Sequence, residues 1–546
     1  MELTKQCIAG RAADFEKAGI RLPRFSIDAV REATAKDPVW VHFSVGNLFK
    51  AFHAGLAQRL LEEGLTDRGI IAVEPFDYDA VTRVFPPHDN LLLRVVMKAD
   101  GNLEKEVIAS VTEALAGDPS GASWARIREI FRSPSLQVVS LSITEKGYDL
   151  RTIEGVFRPE ILKEFDAGPA RPGHAMTKLC ALAYERWQAG GAPLALLSTD
   201  NFSHNGDRLR DAVLTVAGEW KARGRVEPGF IEYVRDESRL SFPLSMIDKI
   251  TPFPSERVRE ALAAAGLGGM DLQKTSKGAS VSPFVNTEET EYLVIEDRFP
   301  NGRPPLEKAG VYFTEREIVD QVERMKVCTC LNPLHTALAI FGCLLGYTSI
   351  AGEMKDPDLA LLVRKIGYDE GMPVVTDPGI IKPAEFIAQV LEKRFPNPNI
   401  PDTPQRIATD TSQKLGIRFG ETINLYANSG SLDTARLILI PLVIAAWCRY
   451  LLALDDQGLP FEPSPDPQLE DLRRILAGVS LGKPESAEGK LKPILSNEKI
   501  FAVNLYDVEA GASGSLGSRV EGYFAELIGG KGAVRETLRK YLGNRG

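Results

Sequence analysis

In the stretch RMKVCTCLNPLHT, residues 324–336, a lysine, an asparagine and a histidine fall within ten residues. Asn332 followed by Pro333 predicts a helix start, because proline disfavours helical geometry in the residue before it and fits the first helical position, where no backbone donor is needed. Asn332 is then the cap, and His335 lies about one turn above it. Both side chains can face one side, with Lys326 arriving from the preceding segment. A desolvated lysine can serve as general base toward an alcohol, an amide can hold a developing oxyanion, and a histidine can fix a substrate hydroxyl. Such a trio suits proton-coupled redox chemistry without a metal. The plain alternative is a cap asparagine and a satisfied core histidine at the foot of a buried helix.

A nucleotide site is written nearer the start. The run WVHFSVGNLFKAFHAGLAQRLLEEG, from Trp40, reads as an apolar strand, a glycine turn and an amphipathic helix, the first half of a βα unit that receives a diphosphate. Its fingerprint is incomplete: Ser44 stands where the first glycine of GxGxxG belongs, Gly46 is the second, and Phe49 occupies the third place. Ser44, Gly46 and Asn47 are the candidate cofactor contacts here. The next strand, GIIAV, ends at Glu74 with Asp77 three residues on. An acid there can accept hydrogen bonds from a ribose diol and repels a 2'-phosphate, which predicts NAD over NADP, with Glu74 ahead of Asp77.

Further strands are predicted over residues 90–98 and 136–144, with a helix over 123–131 between them, and this alternation predicts a parallel, doubly wound sheet. Strand ends are where such folds place ligands, so Glu145, in TEKGY, becomes a candidate. Asp200, Asn201, Asn205 and Gly206 lie between a strand and a helix on the same ligand side, although turns are rich in Asn and Gly for backbone reasons alone. Asp248 and Lys249 sit among apolar residues, as a buried polar site or an exposed edge. Past residue 315 the pattern is predominantly helical. Arg406 and Lys414, eight apart, share a face if their segment is helical, and could hold a carboxylate or sugar hydroxyls or form a solvated basic face. The predicted fold is α/β: a Rossmann-like doubly wound N-terminal domain, residues 1–315, and a predominantly α-helical C-terminal domain, residues 316–546.

Composition bounds the partners. The chain has 546 residues, 44% hydrophobic and 25% charged, enough for two cores. Its net charge of -9, with both signs interspersed and no Lys/Arg block, argues against nucleic acid. The six cysteines show no CxxC pair, so reduced thiols, a cytoplasmic setting and no structural metal are expected. No stretch has signal-peptide character, and the apolar runs at 334–347 and 437–448 are too short to cross a bilayer, so no membrane partner is expected.

Taken together, VGNLFKAFH, TEKGY, STDNFSHNG, FPLSMIDKITP, VIEDRFPNGRP, KVCTCLNPLHTALA and RIATDTSQK occur in the order, and at roughly the distances, of a known family. Over about residues 38–480 the chain resembles the polyol-specific long-chain dehydrogenases, the mannitol dehydrogenase family. The resemblance implies zinc-independent hydride transfer between NAD(H) and a secondary alcohol or ketone of a sugar derivative, a small sugar acid or polyol; two self-sufficient cores fit a monomer, with a small homo-oligomer the alternative. It implies Lys326 as general base, Asn332 as oxyanion donor, His335 as substrate-orienting residue, and Glu145 as the acid that passes the lysine's proton to water. A second amide donor falls in STDNFSHNG, with Asn201 preferred and Asn205 the alternative. Asp248, Arg406 and Lys414 match substrate-contacting positions.

There are departures from the family pattern. Lys326 and Asn332 have five residues between them where four are usual, so either the turn holds an extra residue or another group supplies the base. Ser44 replaces a glycine, Lys50 stands where arginine is usual, and Leu244 replaces a polar residue. Chain length and VGNLFK lean toward the uronate-reducing branch, with D-mannonate and D-fructuronate as the substrate pair. A neutral polyol is the alternative, and a non-catalytic nucleotide-binding sensor is the alternative of another class.

Overall fold

The computed structural model describes residues 1–543. The chain divides into two compact units: Met1–Lys98 with Asn102–Asp320, and the chain from Gln321 onward with Ala99–Gly101.

Six strands of the first unit form one parallel sheet: β1 Trp40–Phe43, β2 Ile70–Glu74, β3 Val111–Ala116, β4 Val138–Leu141, β5 Leu194–Ser198 and β6 Leu240–Ser241. Their order is β3-β2-β1-β4-β5-β6, every neighbour pair parallel. All but β3 are buried along their whole length, the pattern of strands covered by helices on both faces. On one face Val41 and Phe43 of β1 join the core built with helices α2 Ser123–Arg132, α3 Ala175–Gln188 and α4 Asn205–Ala222. On the other, Trp40 joins the core of helix α1, Ala54–Glu62. Strand order reverses between β1 and β4, and the crevice at the carboxyl end of such a switch point is where open α/β sheets take dinucleotides.

The face that carries Trp40 also carries His42, completely buried. Its ring nitrogens pair with the hydroxyls of Ser140 and Ser142 at 2.7 and 2.9 Å, and its ring lies 4.2 Å from that of His53. Burial pushes His42 well below its ordinary value and His53 down to about 3, so both are neutral inside the fold.

One predicted strand lies elsewhere. Leu92–Met97 pairs antiparallel with Leu103–Ile108 in a separate four-stranded sheet, flanked by Ile20–Arg21 and Phe284–Glu288. The sequence between the two strands is Lys98-Ala99-Asp100-Gly101-Asn102, and Gly101 takes the positive φ of +88° that a hairpin loop asks of its glycine. The apolar run resembles a parallel strand, and the Asp-Gly turn overrides it. Ser245–Asp248, Tyr292–Glu296 and Tyr312–Thr314 form a third sheet.

The second unit is helical. Its centre is made by α5 Asn332–Leu345 and α6 Leu439–Tyr450. Every residue of α6 is buried, and so is nearly every residue of α5. The helical run 316–345 is long and apolar enough to cross a membrane by length and composition, yet its apolar window is 83% buried inside the protein. The buried N-terminus of α6 has no capping side chain of its own. Glu370 supplies the acceptors, taking the backbone N–H groups of Ile438, Leu439 and Ile440 at 2.8, 2.6 and 2.8 Å. Burial holds its carboxyl up at about 7 against those three donors.

Candidate active site

The crevice beside β1 is shaped by Ser44. Its φ of +132° lies in the region glycine favours, and its Oγ accepts the Gly46 N–H at 3.1 Å, which holds the turn closed. The helical run begins at Asn47, directly beyond the turn. Phe49, in the third glycine's place, is buried in a π turn, Phe49–His53, and stacks on His42 at 5.0 Å. A ring thus fills the gap that a third glycine would close. Lys50 is buried too, donating from Nζ to the Ser282 carbonyl at 2.9 Å, and burial lowers it to about 8.

Glu74 and Asp77 differ in what they leave available. Glu74 Oε2 accepts the Val45 N–H at 3.1 Å, and Oε1 accepts those of Phe76 and Asp77 at 3.0 Å each. Burial raises this carboxyl and the three donors oppose the rise. Glu74 therefore ties the nucleotide turn to the end of β2. Asp77 Oδ2 accepts the Thr275 hydroxyl at 2.6 Å, while Oδ1 is buried with no partner among the described residues. That oxygen lacks the donor a buried carboxylate oxygen normally has.

Asp200 organises the ends of β4 and β5. Its carboxylate accepts the N–H groups of Ile143 and Thr144 at 3.0 and 2.8 Å and the Tyr148 hydroxyl at 2.7 Å. Glu145 follows directly, 57% exposed and paired with Arg208 at 2.8 Å. Asn201 is exposed at the turn after β5. Asn205 is completely buried, its Nδ2 donating to the carbonyls of Asp200 and Ser245 at 2.9 and 3.0 Å and its Oδ1 accepting the Ser245 N–H at 3.1 Å. The expectation that Asn205 meets substrate is corrected: its amide locks the strand Ser245–Asp248 in place and leaves nothing for a ligand. Gly206 is forced by the same contact, since a Cβ there would lie 2.7 Å from the Pro243 carbonyl. Asp248 is buried at the end of that strand, and Lys249, also buried, pairs with Glu291 at 3.0 Å. The pair is a buried polar site, not an exposed edge.

In the helical unit, Lys326 opens a π turn, Lys326–Cys330, closed by the Leu331 N–H on the Lys326 carbonyl at 3.1 Å. A π turn takes up one residue more than an α turn while the flanking turns keep their phase. The fifth intervening residue is thus absorbed locally. The helix start predicted at Asn332 is modified accordingly: the chain enters α5 through the π turn, Asn332 is its first residue, and no side chain caps it. The Asn332 amide makes no hydrogen bond among the described residues. Lys326 is only 4% exposed.

His335, one turn on, packs its ring 5.0 Å from that of Phe395, and its Nε2 faces Asp402 Oδ2 at 3.5 Å, beyond a hydrogen bond. Burial, then the guanidinium groups of Arg418, Arg406 and Arg394, push this imidazole down to about 3, so it is neutral. Arg406 and Lys414 do not share a helix face. The helix Pro404–Ile407 stops, Asp410 takes a left-handed φ of +54°, and a 3-10 turn and a π turn follow. Arg406 pairs with Asp402, and Lys414 Nζ donates to the Thr409 carbonyl at 2.6 Å. Asp402, Arg394 and Arg418 were not singled out as site residues from the sequence. Asp402 sits four residues before Arg406 and Arg418 four after Lys414, and that spacing is the only signal they carry. Among the described residues no three His, Cys, Asp or Glu side chains come together as a metal site would require.

The sequence matches the mannitol dehydrogenase Rossmann domain over residues 39–308 and the mannitol dehydrogenase C-terminal domain over residues 318–513. The chain belongs to the mannitol dehydrogenase family. Within this family it is 52% identical, over 545 residues covering 100% of this chain and 99% of the relative, to a D-mannonate oxidoreductase of Thermotoga maritima. It is 30% identical, over 436 residues covering 79% and 84%, to a mannitol 2-dehydrogenase of Cereibacter sphaeroides. Its fold matches Pseudomonas fluorescens mannitol 2-dehydrogenase, solved as a ternary complex with NAD and D-mannitol, with a TM-score of 0.68, 26% identity and 100% coverage of both chains.

Proposed function

We propose that this protein is an NAD-dependent oxidoreductase that interconverts D-mannonate and D-fructuronate by hydride transfer. The observation that carries this reading is the 52% identity to a D-mannonate oxidoreductase over the whole chain. NAD fits the first unit on two features: the unpartnered Asp77 Oδ1, suited to a ribose hydroxyl, and the tight Ser44–Gly46 turn at the switch point of the sheet. Asp77 thereby moves ahead of Glu74 as the ribose acceptor. When bound, NADH supplies the hydride that converts the ketone to the alcohol, and NAD accepts it in the reverse direction.

The chain's own residues handle the proton. In reduction the Lys326 ammonium gives its proton to the carbonyl oxygen as the hydride reaches the carbon, and in oxidation the neutral amine takes it back. Asn332, its amide unengaged, donates to that oxygen as charge develops on it, with Asn201 as a second amide donor. His335, neutral, offers one donor and one acceptor to a neighbouring hydroxyl without adding a charge. Glu145 exchanges its Arg208 partner before relaying a proton to water, and Asp248 contacts substrate hydroxyls. The test is product identity: D-fructuronate and NADH, taken to completion, yield D-mannonate. A different epimer, or no consumption of the uronate, overturns the assignment.

A further inference from the structure

The sequence left the substrate's carboxylate to Arg406 and Lys414. Arg406 already has an anion, Asp402, beside it, and the Lys414 ammonium is turned to the Thr409 carbonyl. Arg418 differs from both. It lies in the π turn Gly416–Gly420, and its Nη1 donates to the Thr336 hydroxyl at 2.5 Å. Thr336 in turn donates to the Asn332 carbonyl at 2.9 Å, so the guanidinium is fastened onto the first turn of α5, the turn that carries Asn332 and His335. Among the described residues no carboxylate pairs with Arg418, and burial alone lowers it to about 10. A half-buried guanidinium held by one neutral hydroxyl keeps most of its five donors for a ligand, and it pairs with a carboxylate through two parallel bonds. His335 beside it is neutral, and Asp402, the acid that faces His335, is engaged by Arg406. Among the described residues, then, no acid balances the Arg418 cation, and an incoming anion would.

We propose that Arg418 is the group that holds the substrate carboxylate and sets the preference for a sugar acid over a neutral polyol, with Thr336 as the positioning residue that aims it. The proposal rests on the functional reading above, and the test separates the two. Steady-state kinetics with NADH would be run on wild type, Arg418→Met and Thr336→Val, with D-fructuronate as substrate and NADH affinity measured in each. Turnover of D-fructuronate by wild type tests the function. For Arg418→Met the KM for D-fructuronate rises about a hundredfold or more, with a smaller change in kcat and unchanged NADH affinity. For Thr336→Val, which keeps the cation and the side-chain shape, KM rises about fivefold. If Arg418→Met does not fold, Thr336→Val decides. A wild-type protein that turns over the uronate, with KM within about threefold of wild type in the folded variants, overturns the role of Arg418 alone. A wild type inert toward the uronate overturns the function as well.

Discussion

At the scale of single residues, the proposed chemistry rests on Lys326, Asn332 and His335, each in a different setting. In that proposal a buried lysine, an unengaged amide and a neutral imidazole move one proton without leaving a net charge on the imidazole. Lys326→Ala should lower kcat by roughly a thousandfold with NADH affinity within twofold; wild-type-like turnover would remove the lysine from the mechanism. His335, held at about 3, contributes no inflection to the pH dependence of kcat between pH 5 and 9. An inflection near 6.5 that disappears in His335→Gln would contradict its neutral state. These three residues came forward as candidates because helix chemistry and spacing concentrate them in ten residues. Asn205 was not distinguishable from Asn201, since an amide that bonds a strand and one that bonds a substrate look alike in a turn. Arg418 was hidden because Asp410 adopts a left-handed conformation, and nothing in the sequence requires it.

At the scale of elements, two π turns carry the departures from the usual motifs. Phe49–His53 accommodates a phenylalanine where a third glycine is usual, and Lys326–Cys330 absorbs the additional residue before Asn332. Sequence periodicity located both helices but not the wider turns inside them, because one extra residue barely disturbs an apolar pattern. The Asp100–Gly101 pair is a hairpin signal in the sequence that did not enter the expectation of a parallel strand over residues 90–98. Two buried acids also set the stability of helices. Removing Glu370 orphans three N–H groups at the start of α6, so Glu370→Ala should destabilise the helical unit by about 2–4 kcal/mol, read by chemical denaturation. Glu353 is completely buried, neither oxygen has a hydrogen-bond partner among the described residues, and burial raises it to about 9. Folded Glu353 keeps its proton while the unfolded chain releases one above 4.5, so this residue increasingly opposes folding as pH rises from 4.5 to 9. Glu353→Gln should therefore raise the thermal midpoint more at pH 8 than at pH 5. An equal shift at both would show that the carboxyl is ionised in the fold.

At the scale of the molecule, the parallel sheet and the helical unit were both readable from alternation and composition, whereas the two small sheets were not, because apart from the hairpin at Asp100–Gly101 most of their pairings, such as Leu93 with Phe284 and Ser245 with Ile295, join distant segments. Buried titratable groups give the whole fold a pH signature. His42, His53 and His335 are neutral in the fold but gain protons in the unfolded chain below about 6.5, so stability falls as pH drops from there toward 3. Glu370 and Glu353 act with the opposite sign, up to about 7 and 9. From these groups the thermal midpoint should peak near pH 6–7, fall toward acid and fall from pH 7 to 8; above pH 8 buried Lys50 and Lys178, both lowered to about 8, act with the opposite sign, and a midpoint rising from pH 7 to 8 would contradict these assignments. The central claim, a lysine-driven reduction of a sugar acid, is tested most directly by NADH oxidation with D-fructuronate and D-fructose side by side, in EDTA throughout. The account predicts kcat/KM for the uronate at least about a hundredfold above that for the ketose, unaffected by chelation. Preference for fructose, or activity lost in EDTA and restored by zinc, would contradict it.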